Sequence, residues 1–547
     1  MTESRVKTIF RALAVLLGVA QTIAARYSIG PDGRSYIEIA RAYLRHDWPM
    51  AINAYWSPLY SWLLVATLGI VKPSWEWEYP TIHALNFLIF LAAMAAFEFF
   101  WKGMQKSESG VSHLTLWIFG YSLFIWLTVG NLSVTSPDLC LATIVYLIAG
   151  LMLRIRRDAK RKYFVWLGVA LAAGYLTKAV LFPIAFVFLA VLLIAKAPAK
   201  KIALSTAIFV AIAAPQILLL SHAKHRFTFS DAGRLALAWS NWNVPVRDWQ
   251  GEPASNGTPP HPTRQIHQYP AVFEFNGPIH ASYPPWYDPS YWNEGLRFRF
   301  DTGVVLHHSL DNGKRILKLL LLPHAWALGM LVLVLLSSAS SCKGIAAYWF
   351  LVVPVLMVFS IYALTYAEPR YFPPWEMMLW AGFLFGLRIH RESSRRVLPW
   401  LASGMAAIML ISSANGVRAQ FAVWRHDDTR PQYAIVAGLQ RLGVLRGQSV
   451  AAIGFDSDAH WAYLSGLSIV AEINTDQTCE FWSSTSAVQQ EVLDKLKRAG
   501  ASLVIAHVGG GMSSTSMEIP VDLASCTHPT PGWTEISPSR DLVYFLH

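Results

Sequence analysis

Apolar residues fall into a series of runs at positions 8–27, 57–72, 81–101, 113–130, 139–153, 164–177, 180–195, 202–220, 316–336, 345–366, 375–388 and 400–417. A helix needs about 20 apolar residues to cross a bilayer, with a usual range of about 17–25. The series predicts an α-helical polytopic membrane protein with about twelve segments, of which the shorter ones are tilted, broken or re-entrant. Two polar intervals interrupt it. The first, 28–56, follows the first apolar run directly. The second, 221–315, is long and rich in Trp, Pro, Asn and His, as in Trp239-Ser-Asn-Trp242-Asn-Val-Pro245, Pro259-Pro260-His261-Pro262 and Tyr283-Pro284-Pro285-Trp286-Tyr287. A loop of that length is a lid, a folded insert or a binding surface, and its aromatic side chains suit an acceptor that carries sugar faces.

From about 431 the period changes. Residues 433–442 and 488–499 read as amphipathic helices. Short apolar runs at 449–453 (ended by Gly454), 468–473, 502–506 and 542–546 read as strands. Alternating strands and helices predict a small open sheet, and roughly 115 residues suffice for a core of its own. The expected organisation is a membrane domain at 1–420, with loops at 28–56 and 221–315, and a C-terminal α/β domain at 421–547. No internal repeat stands out.

Composition supports this division. Of 547 residues 54% are hydrophobic and 14% charged, against roughly 25% charged in soluble domains. The net charge is +11. In a membrane protein such an excess marks cytoplasmic loops, and no zinc-finger, helix-turn-helix or RNA-binding pattern points to nucleic acid. Basic clusters at Arg154, Arg156, Arg157 and Lys160–Lys162, at Lys196, Lys200 and Lys201, and at Arg388, Arg391, Arg395 and Arg396 are expected inside. Arg5, Lys7 and Arg11 place the N-terminus inside too, ahead of an uncleaved first helix. The two polar intervals and the C-terminal domain then face outside. One inconsistency arises: three apolar segments separate Asp32 from Asp138, so one of the three must fail to cross if both carboxylates share a face. Of four cysteines, Cys140 and Cys342 fall in or beside apolar runs. Cys479 and Cys526 are able to pair if the C-terminal domain is extracytoplasmic.

Four patches carry candidate chemistry. Asp32 follows the first helix, with Arg34, Glu38, Arg45, His46 and Asp47 behind it. Asp138 closes Ser133-Val-Thr135-Ser136-Pro137. Lys178 separates two apolar runs. Glu368 and Arg370 flank Pro369. Each has a plain reading: Asp138 starts a helix, Lys178 snorkels, Arg34 pairs with Glu38 one turn on, and Glu368 pairs with Arg370. Their convergence on one membrane face is the stronger signal, because ionisable groups at a membrane rim are costly unless used. Lys178 and Arg370 suit a phosphate and a departing oxyanion. Asp32 suits a base for an acceptor hydroxyl.

The motif order is Asp32-Gly-Arg-Ser-Tyr36-Ile-Glu38, then Ser57-Pro-Leu-Tyr60, Thr135-Ser-Pro-Asp138, Leu176-Thr-Lys178 and Glu368-Pro-Arg370-Tyr371. Over residues 5–390 it resembles the GT-C-type integral-membrane glycosyltransferases, in particular the bacterial branch that is protein-mannosyltransferase-like and aminoarabinose-transferase-like. The resemblance implies a polyprenyl-phosphate-linked sugar donor and inverting transfer to a glycan, lipid or protein acceptor at the extracytoplasmic face of a bacterial plasma membrane. It further implies catalytic roles for Asp32 and Asp138, donor-phosphate roles for Lys178 and Arg370, and substrate contacts for Arg34, Tyr36, Glu38, Ser57, Tyr60, Glu368 and Tyr371. No metal ligand set and no required cofactor are implied, although carboxylates of this kind are compatible with a divalent metal. Many relatives carry an adjacent acidic pair in the first loop, whereas Asp32 is followed by Gly33. The alternatives are a flippase for lipid-linked glycans, which calls for ionisable residues in mid-span, and a non-catalytic sensor built on the C-terminal domain around Gly454-Phe-Asp456-Ser-Asp458.

Overall fold

The computed structural model describes residues 2–104, 111–242, 264–275, 277–294, 296, 301–389, 392–425, 431–508, 523–537, 539 and 541–546. Pro245, the Pro259–Pro262 run and Arg391 lie outside the described residues. Among the described residues six helices are long and apolar enough to cross a membrane: Glu3–Ala24 (α1), Trp75–Gly103, His113–Ser133, Asp138–Asp158, Ala199–Ala223 and a window within Arg396–Val423. The expected segment 316–336 is not one straight span. Its helices Thr302–Leu320 and His324–Leu336 meet at 78°, because Pro323 lacks the amide that a continuous helix requires there. Pro58–Val71, Leu181–Ile194 and Trp349–Leu364 are apolar but shorter.

The expected parity conflict bears on the shortest of the three segments. Pro58–Val71 has 14 residues, about 21 Å at 1.5 Å per residue, against roughly 30 Å of hydrocarbon. It packs along Pro31–Leu44 (α2), where Ser61 donates to the Tyr36 carbonyl at 3.0 Å. If this helix stays on one side, Trp75–Gly103 and His113–Ser133 return the chain to the side it left, as the expected common face of Asp32 and Asp138 requires.

The long helices pair as the sequence order allows, Trp75–Gly103 on Asp138–Asp158 and Arg161–Thr177 on Ala199–Ala223. Phe97 on Trp75–Gly103 meets Tyr146 on Asp138–Asp158 with centroids 6.0 Å apart and stacks on Phe124 of His113–Ser133 at 4.8 Å. The acidic group in the apolar part of Trp75–Gly103 is paired: Arg11 on α1 holds Glu98 through two bonds of 2.7 and 2.8 Å. An ionic group at a span position requires such a partner.

Among the described residues the C-terminal sheet has seven strands: Arg264–His267 (β1), Val272–Glu274 (β2), Ser449–Ile453 (β3), Ser468–Ile473 (β4), Leu503–Ala506 (β5), Thr534–Ile536 (β6) and Asp541–Phe545 (β7). Their order is β1-β2-β4-β3-β5-β7-β6. The middle three run parallel and the outer pairings are antiparallel. Alternation along β3 sends Val450 and Ala452 to one apolar layer, and Ala451 and Ile453 to the other. The first layer is continuous with the core of the helical bundle; the second is closed by the helix Ser486–Arg498. Two strands come from the 221–315 interval, which the strand pattern did not predict. Cys479 and Cys526 form a disulfide.

Candidate active site

Asp32 sits in the first turn of α2. Gly30 precedes the helix in extended conformation and Pro31 opens it, where a fixed φ and a missing amide do no harm. Asp138 opens the helix Asp138–Asp158 in the same way, behind Pro137. Each carboxylate thus lies at the positive end of a helix dipole. Lys178 caps the C-terminus of Arg161–Thr177 in extended conformation, its amide bonded to the Gly174 carbonyl at 2.9 Å. That is the end that favours a cation. Arg370 lies in the short 3-10 turn Pro369–Tyr371, between Trp349–Leu364 and Pro373–Gly386.

These four residues meet. Lys178 Nζ donates to Asp138 Oδ1 at 2.7 Å, and Ser136 Oγ donates to Asp138 Oδ2 at 2.8 Å. An Arg370 terminal nitrogen donates to Asp32 Oδ2 at 2.5 Å, while Arg370 Nε stands 3.7 Å from Asp138 Oδ2. That Nε is buried and has no hydrogen-bond partner. Burial by itself disfavours the Arg370 charge, but Asp32, Tyr371 and Asp138 outweigh it and raise its pKa. Lys178 Nζ lies over the Tyr371 ring, 3.3 Å from its centroid, a cation–π contact that leaves the remaining ammonium hydrogens free to turn. Asp138 is almost fully buried, whereas Asp32, Lys178 and Arg370 each keep about a fifth of their side-chain surface exposed. The cluster is therefore closed on the Asp138 side and open on the Asp32 side.

An aromatic wall borders the open side. Trp286 Nε1 donates to the other Asp32 oxygen at 3.1 Å. Its ring packs against Tyr55, Trp56 and Trp239 at centroid distances of 6.1, 5.8 and 6.1 Å. Ser35 Oγ and Trp56 Nε1 both donate to the Trp286 carbonyl, at 2.9 and 3.2 Å. Tyr36 packs edge-on to Trp56 at 5.2 Å and feels both Asp32 and Asp138. The sequence pointed to the aromatic content of this loop but not to Trp286 as a partner of Asp32; the contact spans 254 residues.

Gly33 explains its own identity. A β-carbon at that position would lie 2.7 Å from Thr135 Cβ and 2.9 Å from the Thr135 carbonyl oxygen. The start of α2 presses directly on the turn that leads to Asp138, and any side chain at 33, an acidic one included, would push the two carboxylates apart.

The other candidates divide. Tyr371 belongs to the cluster, and its ring also meets Tyr362 at 5.1 Å. Arg34 does not: it is fully buried and points into the C-terminal unit, where it donates to the Ser457 carbonyl at 2.7 Å and stands 3.8 Å from Glu38. Glu38 accepts from the Ser282 amide and hydroxyl, both at 2.8 Å; burial raises its pKa against the pull of Arg34 and Ser282. Tyr60 is buried and donates to Asn86 Oδ1 at 2.8 Å. Ser57 precedes the helix Pro58–Val71 and lines a small cleft with Asn53 and Tyr175. Glu368 turns to Tyr366, not to Arg370. Asp47 caps a short helix at the Met50 amide. Among the described residues no three His, Cys, Asp or Glu side chains gather as a metal-holding group.

No family description matches the sequence, and no curated protein matches it. The fold does have solved counterparts. ArnT from Cupriavidus metallidurans bound to undecaprenyl phosphate superimposes with a TM-score of 0.50 at 12% identity, over 99% of this chain and 98% of that one. Two looser likenesses carry no weight: apo ArnT from the same organism, at a TM-score of 0.43 and 13% identity over 99% of this chain and 97% of that one, and the Archaeoglobus fulgidus oligosaccharyltransferase tethered with an acceptor peptide, at 0.46 and 12% identity over 92% and 69%. The chain has the fold of the GT-C-type membrane glycosyltransferases, completed by a small C-terminal sheet.

Proposed function

We propose that the protein transfers a sugar from a polyprenyl-phosphate-linked donor to a glycan, lipid or protein acceptor, with inversion, at the extracytoplasmic face of the membrane. The observation that carries this reading is the quartet Asp32–Arg370–Asp138–Lys178, two carboxylates and two cations within ion-pair distance at the ends of separate helices. The disulfide Cys479–Cys526 agrees with an oxidising compartment, and ArnT, whose fold the chain shares, has been captured with undecaprenyl phosphate.

In this reading the donor phosphate enters between Lys178 and Arg370. Arg370 offers a planar fork and Lys178 a point charge. The phosphate draws Arg370 away from Asp32, and the freed carboxylate accepts the proton of the acceptor hydroxyl. The acceptor oxygen bonds to the anomeric carbon from the face opposite the phosphate. The bond from that carbon to the phosphate oxygen breaks, and its electron pair leaves with the polyprenyl phosphate, held by the two cations. Asp138 positions Lys178, to which it is already bonded. The aromatic wall around Trp286 receives the sugar.

Asp32→Asn tests the reading. It keeps the size of the side chain and its acceptance from Trp286, and removes the base. Transfer from a polyprenyl-phospho-sugar should fall by about 10²–10⁴-fold in a protein that still inserts. Undiminished turnover would overturn the assignment.

A further inference from the structure

A second cavity lies away from the Asp32 cluster. It encloses about 460 Å³ where α2, the start of Trp75–Gly103, the 280–287 stretch and the C-terminal sheet unit come together. That volume is within the usual range for a small-ligand site, roughly 300–1,000 Å³. Its reference points on α2 are Arg41 and Arg45. Asp32 stands towards the other end of the helix, about 14 Å from Arg41 and about 20 Å from Arg45 at 1.5 Å per residue.

The lining is charged, and the negative groups in it are already engaged. Glu78 is held by Arg41 at 2.7 and 3.3 Å and by the Tyr463 hydroxyl. Glu38 is held by Ser282. Arg45, Arg446 and His280 also line the cavity. Among the described residues none of these three side chains has a hydrogen-bonded or ion-paired partner. A cleft whose carboxylates are bound internally, while two of its three arginines, Arg45 and Arg446, are not, is an anion receptor. One wall is Trp75, half-buried and stacked on Tyr433 with centroids 5.6 Å apart, which offers a flat apolar face beside the free cations.

We propose that this cleft binds an anionic saccharide, its phosphate or carboxylate on Arg45 and Arg446 and its ring against Trp75. The site is separate from the Asp32 cluster and does not depend on the transfer reaction. Both arginines are exposed, so replacing them leaves the core intact.

The experiment is ligand-observed saturation-transfer NMR on the full chain in nanodiscs, with glucose 1-phosphate, galacturonate, glucose and inorganic phosphate as probes. An anionic sugar is expected to bind at least about tenfold more tightly than glucose or phosphate alone, a gap that narrows with salt. The phosphate and carboxylate arms identify which anion fits. The double variant Arg45→Gln/Arg446→Gln is expected to weaken that binding at least about tenfold, and Arg370→Ala to leave it unchanged. Equal binding of glucose, equal binding of inorganic phosphate, or unaltered binding in the double variant would overturn the proposal. Loss of binding in Arg370→Ala would place the anion at the Asp32 cluster and overturn it as well. Failure of transfer in Asp32→Asn bears only on the other site.

Discussion

Arg370 is bonded to Asp32 at 2.5 Å and stands 3.7 Å from Asp138, so one guanidinium holds the proposed base and touches the second acid. A ligand phosphate has to compete with Asp32 for that cation. Asp32→Asn should therefore bind polyprenyl phosphate at least as tightly as the parent, although it does not turn over. Arg370→Ala should weaken that binding by about 2–5 kcal/mol. Equilibrium titration in nanodiscs measures both. Weaker binding in Asp32→Asn would show that the carboxylate helps to hold the donor.

Asp138 is almost fully buried against Lys178, and breaking a buried pair from one side leaves a bare charge. Asp138→Asn should lower stability by about 3 kcal/mol, read as an earlier thermal transition in detergent. The double variant Asp138→Asn/Lys178→Met should recover part of that loss while remaining inactive. Equal stability of the single and double variants would mean that the pair is not coupled.

Position 33 is a steric test. With Thr135 already at 2.7 Å from the place of a β-carbon, Gly33→Ala should cost about 1–3 kcal/mol and reduce turnover by separating Asp32 from Asp138. Gly33→Asp should be no better, although it restores an acidic pair. Higher activity in Gly33→Asp would show that charge, not clearance, governs the position.

His460 supplies a pH test outside the spans. Burial, and next to it the Arg34 charge, hold its pKa well below the usual value. The folded state keeps the ring neutral, whereas the unfolded chain takes a proton near pH 6.5. The stability linked to His460 is thus fully present above about pH 6.5 and is lost as pH falls below it. His460→Gln should flatten the decline of the thermal transition between about pH 6.5 and 5. An unchanged slope would assign the decline to other groups.

Much of this was legible in the pattern of the chain. The apolar runs located the long helices, and the runs at 449–453, 468–473, 502–506 and 542–546 lie on β3, β4, β5 and β7. Asp32, Asp138, Lys178 and Arg370 stood out because charge at an apolar boundary is expensive. What local pattern could not carry was the partner of each group. Arg34 looked like a companion of Asp32 and instead reaches Ser457, 423 residues on. Trp286 looked like one aromatic among many and donates to Asp32. β1, written Arg-Gln-Ile-His, has no alternation of its own and exists because β2, itself paired with β4, stands beside it.

That last arrangement has a bearing on how the molecule is made. β2 pairs with β4 across roughly 200 residues, and the intervening chain includes the bent helix pair and the last long helix. The strands at 264–274 emerge from synthesis long before the sheet that accepts them. Until the C-terminal segment arrives they form an unpaired edge, the kind of surface that invites wrong partners. A chain stopped after 420 would keep its helices and still lack the partner that orders its own loop, so the two halves are not interchangeable modules in assembly.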